Sequence, residues 1–403
     1  MNLSRRIILL ALLIMLALLG LEGFSLVSTS HFERGEEEFV VVGLIAYLII
    51  ISGPLAHYTG LPVAAIELSM GVLASYYLVP RTRALDLLAG IGANMVLFMA
   101  GAEIDVVLLR KRLRSAVSLG ALSIIGPIII ALGISLYYTP DLLVLTLAAL
   151  VATSAALTYA ILQANGLVRT RTGQTVLAAA MFTDIIGIIL LNIATSGANP
   201  LLLLYGAIII IAILIQPLLS RIEGLQFETE IRLVTMALIV LGAATEFLGI
   251  HSVLTSFILG IIVSETLRER RLLREKLEGM AFGFFAPFFF VTSGLMIDPS
   301  LLVKELILVL AVGVGVFMFK FIPSYMYLKR RIKSRRAAAL YASSLSPLLT
   351  VTLIAAQIGL DSGIFDATMY VVIAGSALAT SILSSAVSLI MRGRSQYLDR
   401  HFF

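Results

Sequence analysis

The 403-residue chain is 60% hydrophobic and only 13% charged, with a mean hydropathy of +1.04 and a net charge of +5. So much apolar surface exceeds what a soluble core can bury, which excludes a soluble globular protein and indicates a membrane protein. The lack of cysteine excludes disulfides and thiolate metal sites. The basic residues lie in small clusters beside apolar segments, which indicates that they set the membrane topology and do not bind nucleic acid.

Apolar segments recur along almost the whole chain. A helix needs about 20 apolar residues to cross the hydrocarbon of a bilayer. Apolar runs bounded by charge, glycine or proline predict about fourteen spans and an all-α polytopic fold in a lipid bilayer. They lie near residues 7–28, 39–57, 62–79, 85–108, 115–138, 142–163, 173–195, 201–221, 230–248, 250–264, 278–297, 301–328, 337–359 and 367–391.

The loops between these spans differ in charge. With the N-terminus inside, the inner loops hold the basic runs 110–114, 268–276 and 329–336, whereas the first outer loop holds the acidic stretch 33–38. Loops rich in lysine and arginine stay on the cytoplasmic side. We therefore expect a multi-pass protein of the cell membrane with both termini in the cytoplasm.

The N-terminal segment has two interpretations. Arg5 and Arg6 followed by an apolar stretch resemble a signal peptide, but the stretch is long for one. We interpret residues 1–30 as a retained extra transmembrane helix, followed by a transmembrane domain at 31–395 and a short cytoplasmic tail at 396–403. The alternative, cleavage, would leave an external N-terminus.

Two halves of seven spans each would run in opposite directions, as in the inverted repeats of many transporters. At corresponding positions, the sixth span holds Thr153 and Ser154 and the thirteenth holds Ser346 and Pro347. A proline removes an amide donor and frees carbonyl groups, so we expect both helices to be broken there. A coincidental division of the spans and an ordinary proline kink are the alternatives.

Two charged side chains fall deep inside predicted spans. Asp184 is the only charged residue between Arg171 and Arg221, and Lys320 is the only base deep in a span. Charge in a membrane is costly, and a buried carboxylate can hold either a proton or a hard cation such as sodium. We expect Asp184 to bind ions and Lys320 to be its charge partner. The alternatives are an aspartate that only steadies helices and a lysine that extends towards Lys329.

Other motifs for chemistry are missing from the sequence. The four histidines show no metal-ligand spacing, and no glycine-rich loop is followed by the lysine of a phosphate site. We therefore expect no cofactor.

Several short motifs occur in a specific order. They are Leu61–Val63 with Glu67 and Gly71; Leu97–Gly101 with Glu103 and Asp105; Ala152–Ser154 with Gly166 and Leu167; the segment around Asp184; Ala244–Gly249; Phe257–Gly260; and Phe285–Leu295. With these motifs, residues 40–395 resemble the monovalent cation:proton antiporters, particularly the bacterial and archaeal branch of Kef-type and Nap-type proteins.

The resemblance implies a fold and a site. The fold is an inverted-repeat bundle in which a core domain with two crossed, discontinuous helices slides against a dimerisation domain, in a homodimer. The site consists of Asp184 with Thr153, Ser154 and Thr183, and Lys320 faces it. Position 183 holds a second aspartate in many electrogenic members, so its threonine favours an electroneutral cycle.

The expected function is exchange of a monovalent cation for protons by alternating access at one buried carboxylate, with sodium favoured over potassium or lithium. A sodium-coupled solute symporter of similar fold and a cation channel are the alternatives. An intramembrane protease would need a second membrane aspartate or a suitably placed serine and histidine, which the sequence does not offer. We therefore expect no enzyme.

Overall fold

The computed structural model describes residues 3–28, 34–104, 106–196, 227–247 and 251–392, and every described element is helical. The α-helices are α1 (Leu3–Ser28), α2 (Arg34–Thr59), α3 (Val63–Tyr76), α4 (Arg83–Ala102), α5 (Val106–Tyr137), α6 (Leu143–Val151), α7 (Ala155–Ala164), α8 (Arg171–Ser196), α9 (Phe227–Phe247), α10 (Ser252–Glu269), α11 (Arg271–Met280), α12 (Ala286–Leu295), α13 (Pro299–Lys304), α14 (Leu306–Lys329), α15 (Arg335–Ser344), α16 (Thr350–Asp361) and α17 (Ala367–Arg392). A 3₁₀ turn precedes α6, and a π-helical turn joins α11 to α12.

Each predicted span except the eighth coincides with described helix, and the eighth, at 201–221, lies outside the described residues. The sixth and thirteenth spans are each divided in two, as predicted. The predicted start of the eleventh span, residue 278, was wrong. Helix begins at Arg271 because the charged segment predicted as a loop is a short amphipathic helix, which buries Leu273 and Leu277.

The helices have the length and surface of a multi-pass membrane protein. Among the described residues, eight helical stretches are long and apolar enough to cross a bilayer. Large apolar side chains remain exposed along them; on α14, Ile307, Leu310 and Met318 are examples. Water does not favour such a surface, whereas lipid tails do.

The helices pack in two groups. The first, here called the site group, comprises α5–α8 and α14–α17; the second, here called the scaffold group, comprises α1–α4 and α9–α12. Among the described residues, helices pack extensively within each group, whereas contacts between the groups are sparse, chiefly of α17 with α3 and of α16 with α4; the short α13 contacts both groups. Sparse contacts of this kind are what relative movement of two bodies requires.

Glycines hold the scaffold group tightly together. A Cβ atom at Gly101 of α4 would lie 2.1 Å from the Phe257 carbonyl oxygen of α10. A Cβ atom at Gly260 of α10 would lie 2.0 Å from the Phe98 carbonyl oxygen of α4. Only glycine permits this backbone approach, which is a common packing device in membranes.

Candidate functional site

The first helix break separates α6 from α7 at residues 152–154. Ala152 and Ser154 have extended backbone angles, with ψ of 148° and 103°. Ser154 caps α7, because its hydroxyl oxygen accepts a hydrogen bond from the Leu157 amide at 3.4 Å. Short hydroxyl side chains favour such caps over helix interiors. The break therefore places the negative end of α6 opposite the positive end of α7.

The second break, between Ser344 of α15 and Thr350 of α16, lies against the first. The Pro347 carbonyl accepts a hydrogen bond from the Ser154 amide at 3.0 Å. The Leu345 carbonyl accepts from the Thr153 hydroxyl at 3.3 Å. Proline and the unwound turn free these carbonyl groups, as predicted, and the first break binds them. The two discontinuous helices thus hold each other at their breaks.

Asp184 lies on α8 beside the start of α7, and only 5% of its surface is exposed. Its Oδ2 atom accepts a hydrogen bond from the Ala155 amide at 3.2 Å. Its buried Oδ1 atom has no hydrogen-bond partner among the described residues. The amides at the start of α7 stabilise a negative charge. The carboxylate is thus held through only one of its two oxygens.

Gly187 brings α8 close enough for this contact. A Cβ atom at Gly187, one turn after Asp184, would lie 2.7 Å from the Ala152 Cβ atom and 3.2 Å from the Ala148 carbonyl oxygen. A side chain here would push α8 away from the end of α6. The sequence analysis did not identify this glycine, although its spacing from Asp184 could have indicated it.

Lys320 is fully buried at the end of α6. Its ammonium group donates hydrogen bonds to the carbonyl groups of Val151 at 3.0 Å and Ala152 at 2.6 Å, and to the Thr153 hydroxyl at 3.0 Å. It forms no direct ion pair with Asp184. The ammonium therefore compensates the negative end of α6, while Asp184 occupies the positive end of α7.

The structure brings together five of the seven predicted site residues, Asp184, Thr153, Ser154, Lys320 and Pro347, the last through its carbonyl. The hydroxyl groups of the other two donate to nearby carbonyl groups: Thr183 to Ala180 of the same helix, and Ser346, in the second break, to Ala342 of α15. The sequence analysis predicted free carbonyl groups at the second break, but it did not identify the Ala155 amide or the Val151 and Ala152 carbonyl groups at the first, since such groups leave no signature in residue type.

A cavity of about 360 Å³ lies between the two groups of helices. Its lining combines scaffold residues with residues of α16, and its polar side chains include Asn94, Glu246, His251, Gln357 and Asp361. Because both groups contribute to the lining, any relative movement of the groups would change the shape of the cavity.

Comparisons with known proteins agree on one family. The family profile "Sodium/hydrogen exchanger, transmembrane" matches residues 41–391. A probable Na(+)/H(+) antiporter 3 of Methanocaldococcus jannaschii is 26% identical over 378 residues, which cover 87% of this chain and 96% of the relative. A Na(+)/H(+) antiporter of Enterococcus hirae is 24% identical over 373 residues, which cover 87% of this chain and 97% of that relative.

The fold also has a match among solved structures. The sodium proton antiporter MjNhaP1 from Methanocaldococcus jannaschii, at pH 8, is similar with a TM-score of 0.68 and 17% sequence identity. The match covers 89% of this chain and 99% of that structure. At this identity the likeness concerns the fold alone.

Proposed function

The chain belongs to the sodium/hydrogen exchanger family, and from that premise we propose that it exchanges sodium ions for protons at a single carboxylate, that of Asp184. The observation that carries the proposal is the buried Oδ1 atom of Asp184, which has no hydrogen-bond partner in the described chain. An unpaired buried oxygen is costly unless it binds something. A proton and a cation compete for it, and this competition couples their movements.

The surroundings of Asp184 suit a small hard cation. The hydroxyl oxygens of Thr153 and Ser154 stand at the same break, and both residues are buried. Oxygen ligands favour alkali and alkaline-earth cations over softer metals. In this proposal Asp184 supplies the negative charge, and the hydroxyl groups of Thr153 and Ser154 supply further ligands. Thr183, which directly precedes Asp184 on α8, is the remaining proposed ion-binding residue. Sodium is the cation that we propose as the transported ion, and potassium and lithium are the alternatives that the experiment compares with it.

The proposed cycle is electroneutral. Position 183 offers no second carboxylate, so one cation and one proton alternate on Asp184. Lys320 keeps its proton throughout, because two carbonyl groups and the Thr153 hydroxyl accept from its ammonium group. Charge-assisted hydrogen bonds of this kind favour the charged donor. The net charge moved in one cycle is then zero.

Alternating access follows from the two groups of helices. We propose that the site group carries Asp184 and both breaks past the scaffold group, and that scaffold groups of two copies form a homodimer. The sparse contacts between the groups support this movement, as does the cavity that both line. The basic inner loops support a location in the cell membrane with both termini in the cytoplasm.

A sodium-coupled symporter and a cation channel are the rival functions. The residues that line the cavity do not include Asp184, Thr153 or Lys320, so the cavity gives no support for an organic substrate at the ion site. A channel would pass cations without moving protons. The relatives named above are antiporters, which argues for transport and against an intramembrane enzyme.

The proposal is tested with purified protein in liposomes that contain a pH-sensitive dye. Addition of sodium, potassium or lithium should change the internal pH, with sodium effective at the lowest concentration. Asp184→Asn keeps the shape of the side chain but can neither release a proton nor neutralise a cation, and it should abolish the change. Cation uptake without proton movement, or full exchange by Asp184→Asn, would overturn the proposal.

A further inference from the structure

The end of the site group at which α5 and α8 begin is densely covered with cations. In the proposed topology this end faces the cytoplasm. The segments 111–114, 169–171 and 329–336 together hold eleven lysine and arginine residues, here called the basic collar. Ten of these side chains are exposed, and Arg112 is half-buried. The collar is therefore a surface and not part of the packed interior.

Two segments of the collar lie at a similar depth because α5 packs against α14. A Cβ atom at Gly126 of α5 would lie 2.1 Å from the Phe319 Cβ atom of α14. Arg114 lies twelve residues before Gly126, and Lys329 lies ten residues after Phe319. At about 1.5 Å per residue, both cations lie about 15–18 Å along their helices from this contact.

The third segment is joined to the start of α15. The hydroxyl groups of Thr170 and Tyr341 form a hydrogen bond of 2.7 Å between the turn before α8 and α15. Arg169 and Arg171 flank Thr170, and Tyr341 lies less than two turns after Arg335, the first residue of α15. The three segments thus form one basic surface at this end of the site group.

The collar has no acidic partner among the described residues. None of its cations forms an ion pair there. Of the described acidic residues in the site group, Asp184 lies in the middle of α8, and Asp141, Asp361 and Asp366 lie near the opposite ends of their helices. Asp105, just before α5, lies outside the described residues. Like charges gathered on one surface repel one another unless anions come to it.

The scaffold group differs on the same side of the membrane, where α9 begins and α10 ends. Three of its arginines there are neutralised by glutamates. The ion pairs are Arg270–Glu230 at 2.5 Å, Arg271–Glu275 at 2.7 Å and Arg274–Glu278 at 2.6 Å. The preference for basic residues in cytoplasmic loops accounts for cations in both groups. It does not account for the pairing of cations in one group and the lack of acidic partners in the other.

The collar lies at the depth of the lipid headgroups. Leu113, between two of its cations, is 47% exposed, which water does not favour. The Lys329 Nζ atom lies 5.8 Å from the centre of the Tyr325 ring, and the Arg331 Cζ atom lies 4.4 Å from that of Tyr327. Tyrosine rings favour the boundary between membrane and water. Cations held on these rings therefore stand beside headgroups.

We propose that the basic collar binds the phosphate headgroups of anionic phospholipids such as phosphatidylglycerol, and that the ion-paired arginines of the scaffold group do not. Guanidinium groups bind phosphate through paired, charge-assisted hydrogen bonds, and clustered basic residues at a membrane surface attract anionic lipids. A lipid also covers the apolar side chains beside the cations, whereas a soluble anion does not. Anionic lipids would thus contact the group of helices that moves in the proposed cycle.

Native mass spectrometry of the purified protein tests the proposal, because it counts the phospholipid molecules that stay bound. Phosphatidylglycerol should bind at least about tenfold more tightly than phosphatidylcholine. The variant Arg330→Gln/Lys333→Gln/Arg336→Gln removes three exposed cations and should weaken the binding of phosphatidylglycerol by at least about tenfold. If this variant does not fold, Lys111→Gln/Arg114→Gln on α5 tests the same surface and should also weaken binding.

The matched control is Arg271→Gln/Arg274→Gln/Lys276→Gln on α11, which lowers the net charge by the same three units in the scaffold group. It should keep the affinity for phosphatidylglycerol within about threefold of the unmodified protein. Asp184→Asn should bind the lipid as the unmodified protein does, because this binding does not depend on ion exchange. A failure of the proposed exchange would therefore leave the result for the collar unaffected.

Three outcomes would overturn the proposal. Equal losses in the collar variants and the α11 control would show that net charge alone attracts the lipid. Unchanged affinity for phosphatidylglycerol in the collar variants, or equal affinity for phosphatidylcholine in the unmodified protein, would show that the collar does not select anionic lipid. Displacement of the lipid by an equal concentration of glycerol 3-phosphate would show that the collar binds soluble phosphate groups and has no preference for a membrane lipid.

Discussion

Lys320 and Asp184 occupy opposite sides of one helix break and form no direct ion pair. The lysine ammonium binds the Val151 and Ala152 carbonyl groups at the end of α6, whereas the Asp184 carboxylate accepts from the Ala155 amide at the start of α7. Each charge is thus compensated by a helix end of opposite sign. In the proposed cycle, this arrangement allows Asp184 to exchange a proton for a cation without breaking the contacts of Lys320.

Thr153→Val tests the Thr153 hydroxyl group, which links the first break both to the second break and to Lys320. The substitution keeps the volume but loses a proposed ligand, an acceptor for Lys320 and a donor to Leu345. We expect the apparent KM for sodium to rise by about tenfold, because the loss of one or two polar contacts weakens binding by about that factor. Liposome exchange at several pH values measures it.

Thr352→Val is the matched control, because the buried Thr352 hydroxyl of α16 also joins the two discontinuous helices, donating to the Ala149 carbonyl of α6 at 2.6 Å, but forms no hydrogen bond with Asp184, Thr153, Ser154 or Lys320. Its KM should stay unchanged. An unchanged KM in Thr153→Val at every pH would remove this hydroxyl from the cation site.

Lys320→Met tests the compensation of the end of α6. The substitution keeps most of the apolar stem but leaves two buried carbonyl groups and a hydroxyl without their donor. We expect the free energy of unfolding to fall by about 2–4 kcal/mol, typical for loss of one partner in a buried charged network. Thermal unfolding in detergent measures this loss, and Lys320→Arg should retain more stability than Lys320→Met. Equal stability of Lys320→Met and the unmodified protein would contradict the role of Lys320 as a helix-end cap.

Voltage tests the proposed stoichiometry. One cation exchanged for one proton moves no net charge, so a membrane potential should not change the rate. The measurement imposes a potassium–valinomycin potential of either sign on sodium-loaded liposomes at fixed pH. A rate that follows the potential would mean that Lys320, or another group, changes its charge during the cycle.

Gly187→Ala tests the approach of α8 to the first break. The added methyl group meets the Ala152 Cβ atom and the Ala148 carbonyl, so α8 must shift and Asp184 loses its contact with Ala155. We expect at least about a tenfold loss of exchange rate, since small displacements of reacting groups are costly. Gly133→Ala on α5, where a Cβ atom would meet nothing within 4 Å, is the control. Equal rates in the two variants would show that this close approach does not matter.

Much of the fold could be predicted because membrane helices are long and apolar. The break at Pro347 was predictable from chemistry, since proline cannot donate a backbone hydrogen bond. The start of α11 at Arg271 was missed because five charged residues in 271–278 conceal the apolar face formed by Leu273 and Leu277. The helical spacing of these two leucines was the available signal.

The site was predictable only where residue type carries the chemistry. Asp184 and Lys320 stand out because charge in a membrane is rare and costly. The bond from the Ser154 amide to the Pro347 carbonyl joins backbone groups 193 positions apart, and every residue has such groups. The orientation of the Thr183 hydroxyl towards Ala180 depends on a side-chain rotamer, which sequence spacing does not determine.

The central claim is that proton and cation compete for the same carboxylate, and proton release from the purified protein tests it most directly. Sodium added to the protein in weakly buffered detergent solution should displace about one proton per chain in the pH range where Asp184 is protonated. Asp184→Asn should release none, while sodium added to Thr352→Val should still displace protons. Sodium-dependent proton release that persists in Asp184→Asn would contradict a single shared site at this residue.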